Sequence, residues 1–258
     1  PINNLTAFGF DEIGKFITGL LGKGPGTELV LMILAAIGLI TFGAVTMMAL
    51  TWFERKIVAR IQDRIGPNQA GPFGLMLPLA DGVKMLTKED ITPANADRWV
   101  YLIAPIMIAA FAMTSLAVIP FAPRVAGVNL DIGAFFYIAI GSGSTIAILM
   151  AGWGSNNKYS LLGAFRTVAQ LVGYEVPMLL NVLPVIMLSG SMSLFDIIAK
   201  QTDAPGGFGL PFILFLPVSA LVFLISGIAE VGRSPFDLME AESEIVAGFH
   251  VEYSGMKF

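Results

Sequence analysis

The feature that most constrains this sequence is a series of five long apolar stretches that hold almost no charged side chain. They cover residues 29–53, 99–121, 132–153, 168–188 and 210–229. A helix needs roughly 20 consecutive apolar residues to cross the hydrocarbon core of a bilayer, and each stretch is that long. The alternation that marks the strands of a membrane barrel is absent from all five. The pattern predicts an all-α, polytopic transmembrane helix bundle with five spans in this chain.

The overall composition excludes several classes of protein. Hydrophobic residues make up 55% of the chain and charged residues 13%, about half the charged share of a soluble domain. The net charge of −4 argues against a nucleic-acid partner. The chain has no Cys and a single His, His250. These counts exclude a disulfide scaffold, a thiolate zinc site, an iron–sulfur cluster bound by this chain, and a haem held by two of its histidines.

The distribution of Lys and Arg predicts an orientation. Eleven of the 15 basic residues fall in the three loops on one side, which are residues 54–98, 154–167 and 230–258. Basic loops face the cytoplasm. We therefore expect a bacterial inner membrane protein with loops 54–98 and 230–258 in the cytoplasm and an extramembrane, periplasmic segment 1–28; a thylakoid or organelle membrane stays open. We treat residues 1–258 as one membrane domain, and the polar end without a following span suggests truncation at the C-terminus.

The basic loop after the first span holds a second apolar pattern. Met76, Leu79, Val83 and Leu86 recur at helical spacing. The pattern predicts an amphipathic helix that lies in the membrane interface, preceded by a charged extension of the first span as far as Gly66-Pro67. The interfacial helix is either a simple surface helix or one that frames a lateral opening, with Asp81 facing a cavity.

Glu175 is the one charged residue inside a predicted span. An ionisable side chain at membrane depth is costly and usually faces a bundle interior or a water-filled path. Pro177, two residues later, frees a backbone carbonyl and favours a polar niche beside the carboxylate. A buried ion pair with Arg166 is one interpretation, and a role in proton handling is the one that we favour.

The last loop concentrates carboxylates. Its acids are Glu230, Asp237, Glu240, Glu242, Glu244 and Glu252. Ser234 and Pro235 form a typical helix start, with Asp237 placed to complete the cap. The run indicates a solvated face, a metal site, or coupled acids that pass protons. Acids in stripes along a helix do not converge on one point, so we expect no metal site.

Several motifs together carry a resemblance to a known family. They are Glu54-Arg55-Lys56, Arg64-x-Gly66-Pro67-Asn68, Ala80-Asp81-x-x-Lys84, Arg166-x-Val168-Ala169-Gln170, Tyr174-Glu175-Val176 and Glu230-x-x-Arg233-Ser234-Pro235-Phe236-Asp237. From about Leu29 onward the chain resembles the quinone-channel membrane subunit of respiratory complex I. This is the H-subunit family of bacterial NADH–quinone oxidoreductases, equivalent to mitochondrially encoded subunit 1.

The resemblance implies a fold, an activity and partners. Family members have about eight transmembrane spans, each of roughly 20 apolar residues, with structured cytoplasmic loops. The chain would be a subunit of a proton-translocating NADH:quinone oxidoreductase, with no catalytic residue on this chain alone. It would bind no redox cofactor; quinone is the substrate, and FMN and iron–sulfur clusters belong to partner subunits. The partners would be the peripheral quinone-site subunits, the adjacent membrane-arm subunits and lipid.

The resemblance also assigns roles to individual residues. Arg55, Asp81, Arg233 and Phe236 match positions along the quinone channel. Glu175, Glu230, Asp237, Glu240, Glu242, Glu244 and Glu252 match the proton path that links the quinone chamber to the membrane arm. The alternatives are the homologous membrane subunit of an ion-translocating hydrogenase or formate hydrogenlyase, and a ferredoxin-dependent relative of complex I. A stand-alone secondary transporter is disfavoured because the sequence has no inverted repeat.

Overall fold

A computed structural model describes residues 24–121, 127–202, 210–239 and 246–257. Within these ranges the chain forms seven α-helices and no strand, which confirms the all-α prediction. The helices are α1 (Pro25–Ile61), α2 (Leu77–Thr87), α3 (Arg98–Leu116), α4 (Gly133–Gly154), α5 (Lys158–Ser189), α6 (Leu194–Thr202) and α7 (Pro217–Glu230). Four single 3-10 turns cover Pro72–Gly74, Phe212–Leu214, Gly248–His250 and Gly255–Lys257.

Four of the helices, α1, α3, α4 and α5, are long and apolar enough to cross a membrane, so the chain is a multi-pass membrane protein. The fifth predicted span is helical over a shorter segment than its apolar run. Helix α7 begins at Pro217 and has 14 residues, which corresponds to about 21 Å of helix. Proline suits the first position of a helix because its missing N–H has no partner there, and this places the helix start well inside the apolar run.

The described chain divides into two compact units. The first unit contains α1, α2 and the last described residues, 253–257. The second unit contains α3 to α7 and extends to Glu252. The description of 1–258 as a single membrane domain stays a prediction.

In the first unit, α1 continues past its apolar part as a charged helix, as predicted, but it ends at Ile61, before Gly66-Pro67. The backbone turns at Asp63, whose φ of 54° is left-handed, a conformation that Asp adopts more readily than most residues. The Arg64 N–H then donates to the Ala59 carbonyl at 2.9 Å. The chain therefore leaves the helix axis one turn earlier than the proline requires.

A helix, α2, forms where the sequence predicts the interfacial helix, and its position in the membrane interface stays a prediction. It starts with Pro78 in its first turn, and none of its residues is buried. Residues 253–257 contact the segment just after α2, where the Ser254 hydroxyl accepts a hydrogen bond from the Ile91 N–H at 2.9 Å. Lys257 and Asp90 form an ion pair of 2.7 Å beside it.

In the second unit, α5 contacts α4, α7 and the turn at Gly248–His250. Small residues allow the close approach of α4: a Cβ on Gly152 would lie 2.3 Å from the Ala164 Cβ. A Cβ on Gly163 would lie 2.6 Å from the backbone of Gly248. Small residues at such crossings are the usual solution for helix packing in membranes. Helix α5 is therefore the element on which the candidate site is built.

The prediction that Ser234 begins a helix is wrong. Residues 231–239 form turns, and the remainder of the predicted helix, 240–245, lies outside the described residues. Tertiary contacts outweigh the local cap pattern here. The Phe236 carbonyl accepts a hydrogen bond from the Gln170 side chain instead of one from a following helical turn. The Phe236 ring also packs against Tyr174.

Candidate functional site

Two residues predicted to lie along the quinone channel are joined in the first unit. Arg55 Nη1 on α1 and Asp81 Oδ2 on α2 form an ion pair of 2.8 Å, with side chains 44% and 40% exposed. One turn earlier on α1, the Trp52 Nε1–H donates to the Phe73 carbonyl at 3.1 Å. These two contacts hold α2 and the loop before it against the charged end of α1.

The loop between α1 and α2 encloses a groove of about 920 Å³, lined by Arg55, Arg64, Leu77 and residues 65–70. We call this the loop groove. Its lining is largely apolar, with the two guanidinium groups as its cations. The loop keeps this shape because Gly74 has a φ of +76°, and a Cβ there would lie 2.3 Å from the Pro67 carbonyl oxygen. Only glycine fits that position.

In the second unit, Glu175 on α5 accepts a hydrogen bond from the Ser142 hydroxyl on α4. The same hydroxyl lies 3.2 Å from the Ile138 carbonyl of its own helix. The carboxylate thus has a polar partner on a neighbouring helix. Sequence reasoning missed Ser142; the available signal was the run Gly141-Ser142-Gly143-Ser144, four small residues in the middle of a span.

Glu230, the last residue of α7, is the second acid at this place. It lies close enough to Glu175 for the two negative charges to repel each other. Its Oε2 is buried, and within the described ranges it has no hydrogen-bond partner. The structure therefore brings together two of the acids assigned to the proton path, one from α5 and one from α7.

Gln170 on α5 joins the end of α7 to the turn that follows it. Its side chain is 8% exposed. Its Nε2 donates to the Ala229 carbonyl at 2.8 Å and to the Phe236 carbonyl at 2.9 Å. The residue belongs to one of the sequence motifs, but no role was predicted for it, because its partners are backbone carbonyls that are far away in sequence.

Phe236 and Arg233 lie in the turns after α7. The Phe236 ring packs edge-on against Tyr174, with centroids 5.2 Å apart and an interplanar angle of 63°. The Phe236 N–H donates to the Arg233 carbonyl at 2.8 Å. The Arg233 and Asp237 side chains are exposed. Phe236, assigned to the channel wall, is thus packed against the residue that precedes Glu175.

Glu252 lies at a different place. Its Oε1 accepts from Asn157 Nδ2 at 2.6 Å, and its carbonyl accepts from the Tyr101 hydroxyl at 2.8 Å. Asn157 caps the start of α5, and the 18 residues from there to Glu175 correspond to about 27 Å of helix. The structure does not bring Glu252 to the pair formed by Glu175 and Glu230.

Three further acids of the predicted proton path, Glu240, Glu242 and Glu244, lie outside the described residues. Among the residues that are described, no three His, Asp or Glu side chains converge on one point where they would hold a metal ion.

Comparison with known proteins identifies the family. The sequence model of the family described as NADH dehydrogenase matches residues 34–258. The chain is 51% identical over 217 residues to the H subunit of the NADH-quinone oxidoreductase of Dehalococcoides mccartyi strain CBDB1, a match that covers 84% of this chain and 60% of the relative.

Two further relatives agree with this match. The second H subunit of the NADH-quinone oxidoreductase of Geobacter sulfurreducens is 48% identical, covering 87% of this chain and 69% of the relative. The H subunit of the Carboxydothermus hydrogenoformans enzyme is 45% identical, covering 90% and 65%. The chain spans 60% of the Dehalococcoides relative's length. Because the family model matches nearly the whole chain and the relatives are this similar, the chain belongs to the NADH dehydrogenase family.

Proposed function

We propose that the chain is the H subunit of a proton-translocating NADH–quinone oxidoreductase, in which it lines the quinone channel and links quinone reduction to proton translocation. The observation that carries this proposal is the 45–51% identity to relatives that bear the name of that subunit. The residues of the loop groove and of the Glu175–Glu230 site have the chemistry that each half of this function needs.

The loop groove suits the passage of a quinone. A quinone joins an apolar tail to a ring with two carbonyl oxygens, so its path needs apolar walls and a few hydrogen-bond donors. The groove has this lining, and its guanidinium groups belong to Arg55 and Arg64. Helix α1 is itself a candidate membrane span, and Arg55 near its end lines the groove. Asp81 holds the Arg55 guanidinium in place by its ion pair, and the N–H groups that this pair does not use are donors for a quinone carbonyl.

The Glu175–Glu230 site suits proton transfer. Two carboxylates with repelling charges in a partly buried site share protons, because ionising one makes the other harder to ionise. Reduction of a quinone by two electrons takes up two protons and creates transient negative charge. Phe236 and Arg233, assigned to the chamber wall, lie on the turns that follow Glu230. Charge that develops in the chamber therefore acts on acids that are only a few residues away.

The same proposal covers location and partners. The subunit lies in a bacterial inner membrane, with its N-terminus in the periplasm and its basic loops in the cytoplasm. It contacts the peripheral quinone-site subunits, the adjacent membrane-arm subunits, quinone and lipid. FMN and the iron–sulfur clusters are held by partner subunits.

The test is the intact complex in vesicles, carrying Glu175→Gln in this chain. We expect normal reduction of artificial acceptors by NADH and a loss of quinone-dependent proton pumping, because the neutral amide carries no proton through the site. Glu28→Gln, at the exposed start of α1, is the matched control. A complex that pumps normally with Glu175→Gln, or a purified complex that evolves hydrogen and reduces no quinone, overturns the proposal.

A further inference from the structure

Gln170 makes a contact that the proposed function does not use. Its Nε2 binds two carbonyls that are seven residues apart, one at the end of α7 and one in the turn beyond it. The side chain is almost fully buried. The amide group therefore fixes the path of the chain on both sides of Arg233. It also holds in place the end of α7, where Glu230 lies.

Two buried oxygens lie at this place without a hydrogen-bond partner among the described residues. They are Gln170 Oε1 and Glu230 Oε2, and these are the two side-chain atoms of which this is true. Gln170 binds the carbonyl of the residue directly before Glu230, so both oxygens belong to the same small region. Two acceptors cannot bond to each other, and leaving both without a donor is costly. One proton on Glu230 gives both oxygens a hydrogen bond, because a protonated carboxyl group can donate to the Gln170 amide oxygen.

We propose that Gln170 is a positioning residue for proton transfer, whose Oε1 accepts the hydrogen bond of protonated Glu230, directly or through one water. The inference rests on the proposed function, since it assigns a proton-dependent role to a residue outside the acid chain. The amide oxygen gains no proton. It holds the O–H of Glu230 in place, and the bond is lost when the proton leaves Glu230.

This contact gives the site two states. With Glu230 protonated, the Gln170 amide oxygen is satisfied and Glu175 faces a neutral neighbour. With Glu230 ionised, the amide oxygen has no donor and the two carboxylates repel each other. Gln170 therefore favours the protonated state of Glu230, which helps to retain a proton until charge in the quinone chamber changes.

The experiment is a double-mutant cycle in the intact complex, with Gln170→Met, Glu230→Gln and both together. The rate of quinone reduction and its pH profile are measured for each. Gln201→Met on α6 is the matched control, because Gln201 also binds two backbone groups, the Ile197 carbonyl of its own helix and the Phe212 N–H of the following turn. Assembly is checked on native gels, and if Gln170→Met does not assemble, Gln170→Asn replaces it.

We expect Gln170→Met to move the acid limb of the pH profile to lower pH, by up to about one unit, because the protonated form loses its acceptor. In the Glu230→Gln background, Gln170→Met should not shift the pH profile further, since the amide at position 230 does not titrate. Gln201→Met should leave the profile in place.

Two results overturn the inference. One is an unshifted profile in an assembled Gln170 variant, and the other is the same shift in both backgrounds, which would make Gln170 only a packing residue. These results are distinguishable from failure of the proposed function, in which Glu230→Gln alone would already leave rate, pumping and pH profile unchanged.

Discussion

The hydroxyl of Ser142 on α4 donates a hydrogen bond to the carboxylate of Glu175 on α5. The donor comes from a helix that carries no acid in its span. The bond ties the carboxylate on α5 to α4, whereas Gln170, also on α5, binds the end of α7 and the turn beyond it. Contacts to two neighbouring helices therefore fix α5 at the candidate site.

Removing the Ser142 hydroxyl should slow proton pumping. For Ser142→Ala we expect a several-fold lower rate of quinone-linked pumping, because Glu175 loses the hydrogen bond that holds its carboxylate against α4. The pumping rate in vesicles is the measurement. Ser144→Ala is the control, since the Ser144 hydroxyl donates to the Gly141 carbonyl of its own helix. Equal pumping rates for the two variants would contradict a role for Ser142.

The contact between α4 and α5 predicts a large effect on stability. In Gly152→Val the new Cβ would lie 2.3 Å from the Ala164 Cβ and 2.9 Å from the Ser160 carbonyl oxygen. Overpacking of this kind costs roughly 1–3 kcal/mol, so we expect less assembled complex and a lower midpoint of thermal unfolding. Gly227→Ala on α7, where nothing lies within 4 Å of the new atom, should be neutral or stabilising. Similar melting of both variants would contradict the close packing of these helices.

The ion pair between Arg55 and Asp81 predicts a change in binding rather than in stability. Both side chains are about two-fifths exposed, and such pairs contribute less than about 1 kcal/mol to stability. We expect Asp81→Asn to leave assembly intact and to raise the KM for quinone several-fold, because the Arg55 guanidinium is no longer oriented. Asp90→Asn, which breaks the ion pair with Lys257 in the same unit, is the control. A KM change of the same size in both variants would mean a general effect of charge.

Much of the fold, and less of the site, follows from sequence patterns. The long apolar stretches predict α1, α3, α4 and α5, because crossing a bilayer requires length and apolarity that can be counted. The shortened α7 reflects the position of Pro217, a local signal that an apolar count does not weigh. The partners of Glu175 and Gln170 could not be predicted from spacing, because Ser142 and the Phe236 carbonyl approach them through tertiary packing. The wrong helix start at Ser234 has the same cause.

The orientation in the membrane can be tested with single cysteines, since the chain has no native Cys. We expect a Cys at Lys158, at the start of α5, to react with a membrane-impermeant thiol reagent only from the cytoplasmic side. A Cys at Gln201, near the end of α6, should react only from the periplasmic side, because α5 separates the two positions. The reason is the excess of Lys and Arg in the loops on the side of Lys158. Reaction of both from one side would contradict the predicted topology.

The separation of Glu252 from the Glu175–Glu230 pair predicts which mutational effects should add. Glu175 and Glu230 lie within range of each other's charge, whereas Glu252 is bound to Asn157 at the start of α5, about 27 Å of helix away. Direct charge coupling over that distance is weak, because the interaction energy of two charges falls with their separation. Changes at distant sites usually add, and changes at coupled sites do not.

We therefore expect the effects of Glu175→Gln and Glu230→Gln on the pumping rate and its pH profile to be non-additive, with the double variant close to the stronger single one. The effects of Glu175→Gln and Glu252→Gln should instead add on a logarithmic scale. Asn157→Leu should reproduce the Glu252→Gln effect, since it removes the donor that holds this carboxylate. Strong non-additivity between Glu175 and Glu252 would contradict the separation of Glu252 from the Glu175–Glu230 pair. An additive Glu175–Glu230 pair would remove the basis for shared proton transfer at that site.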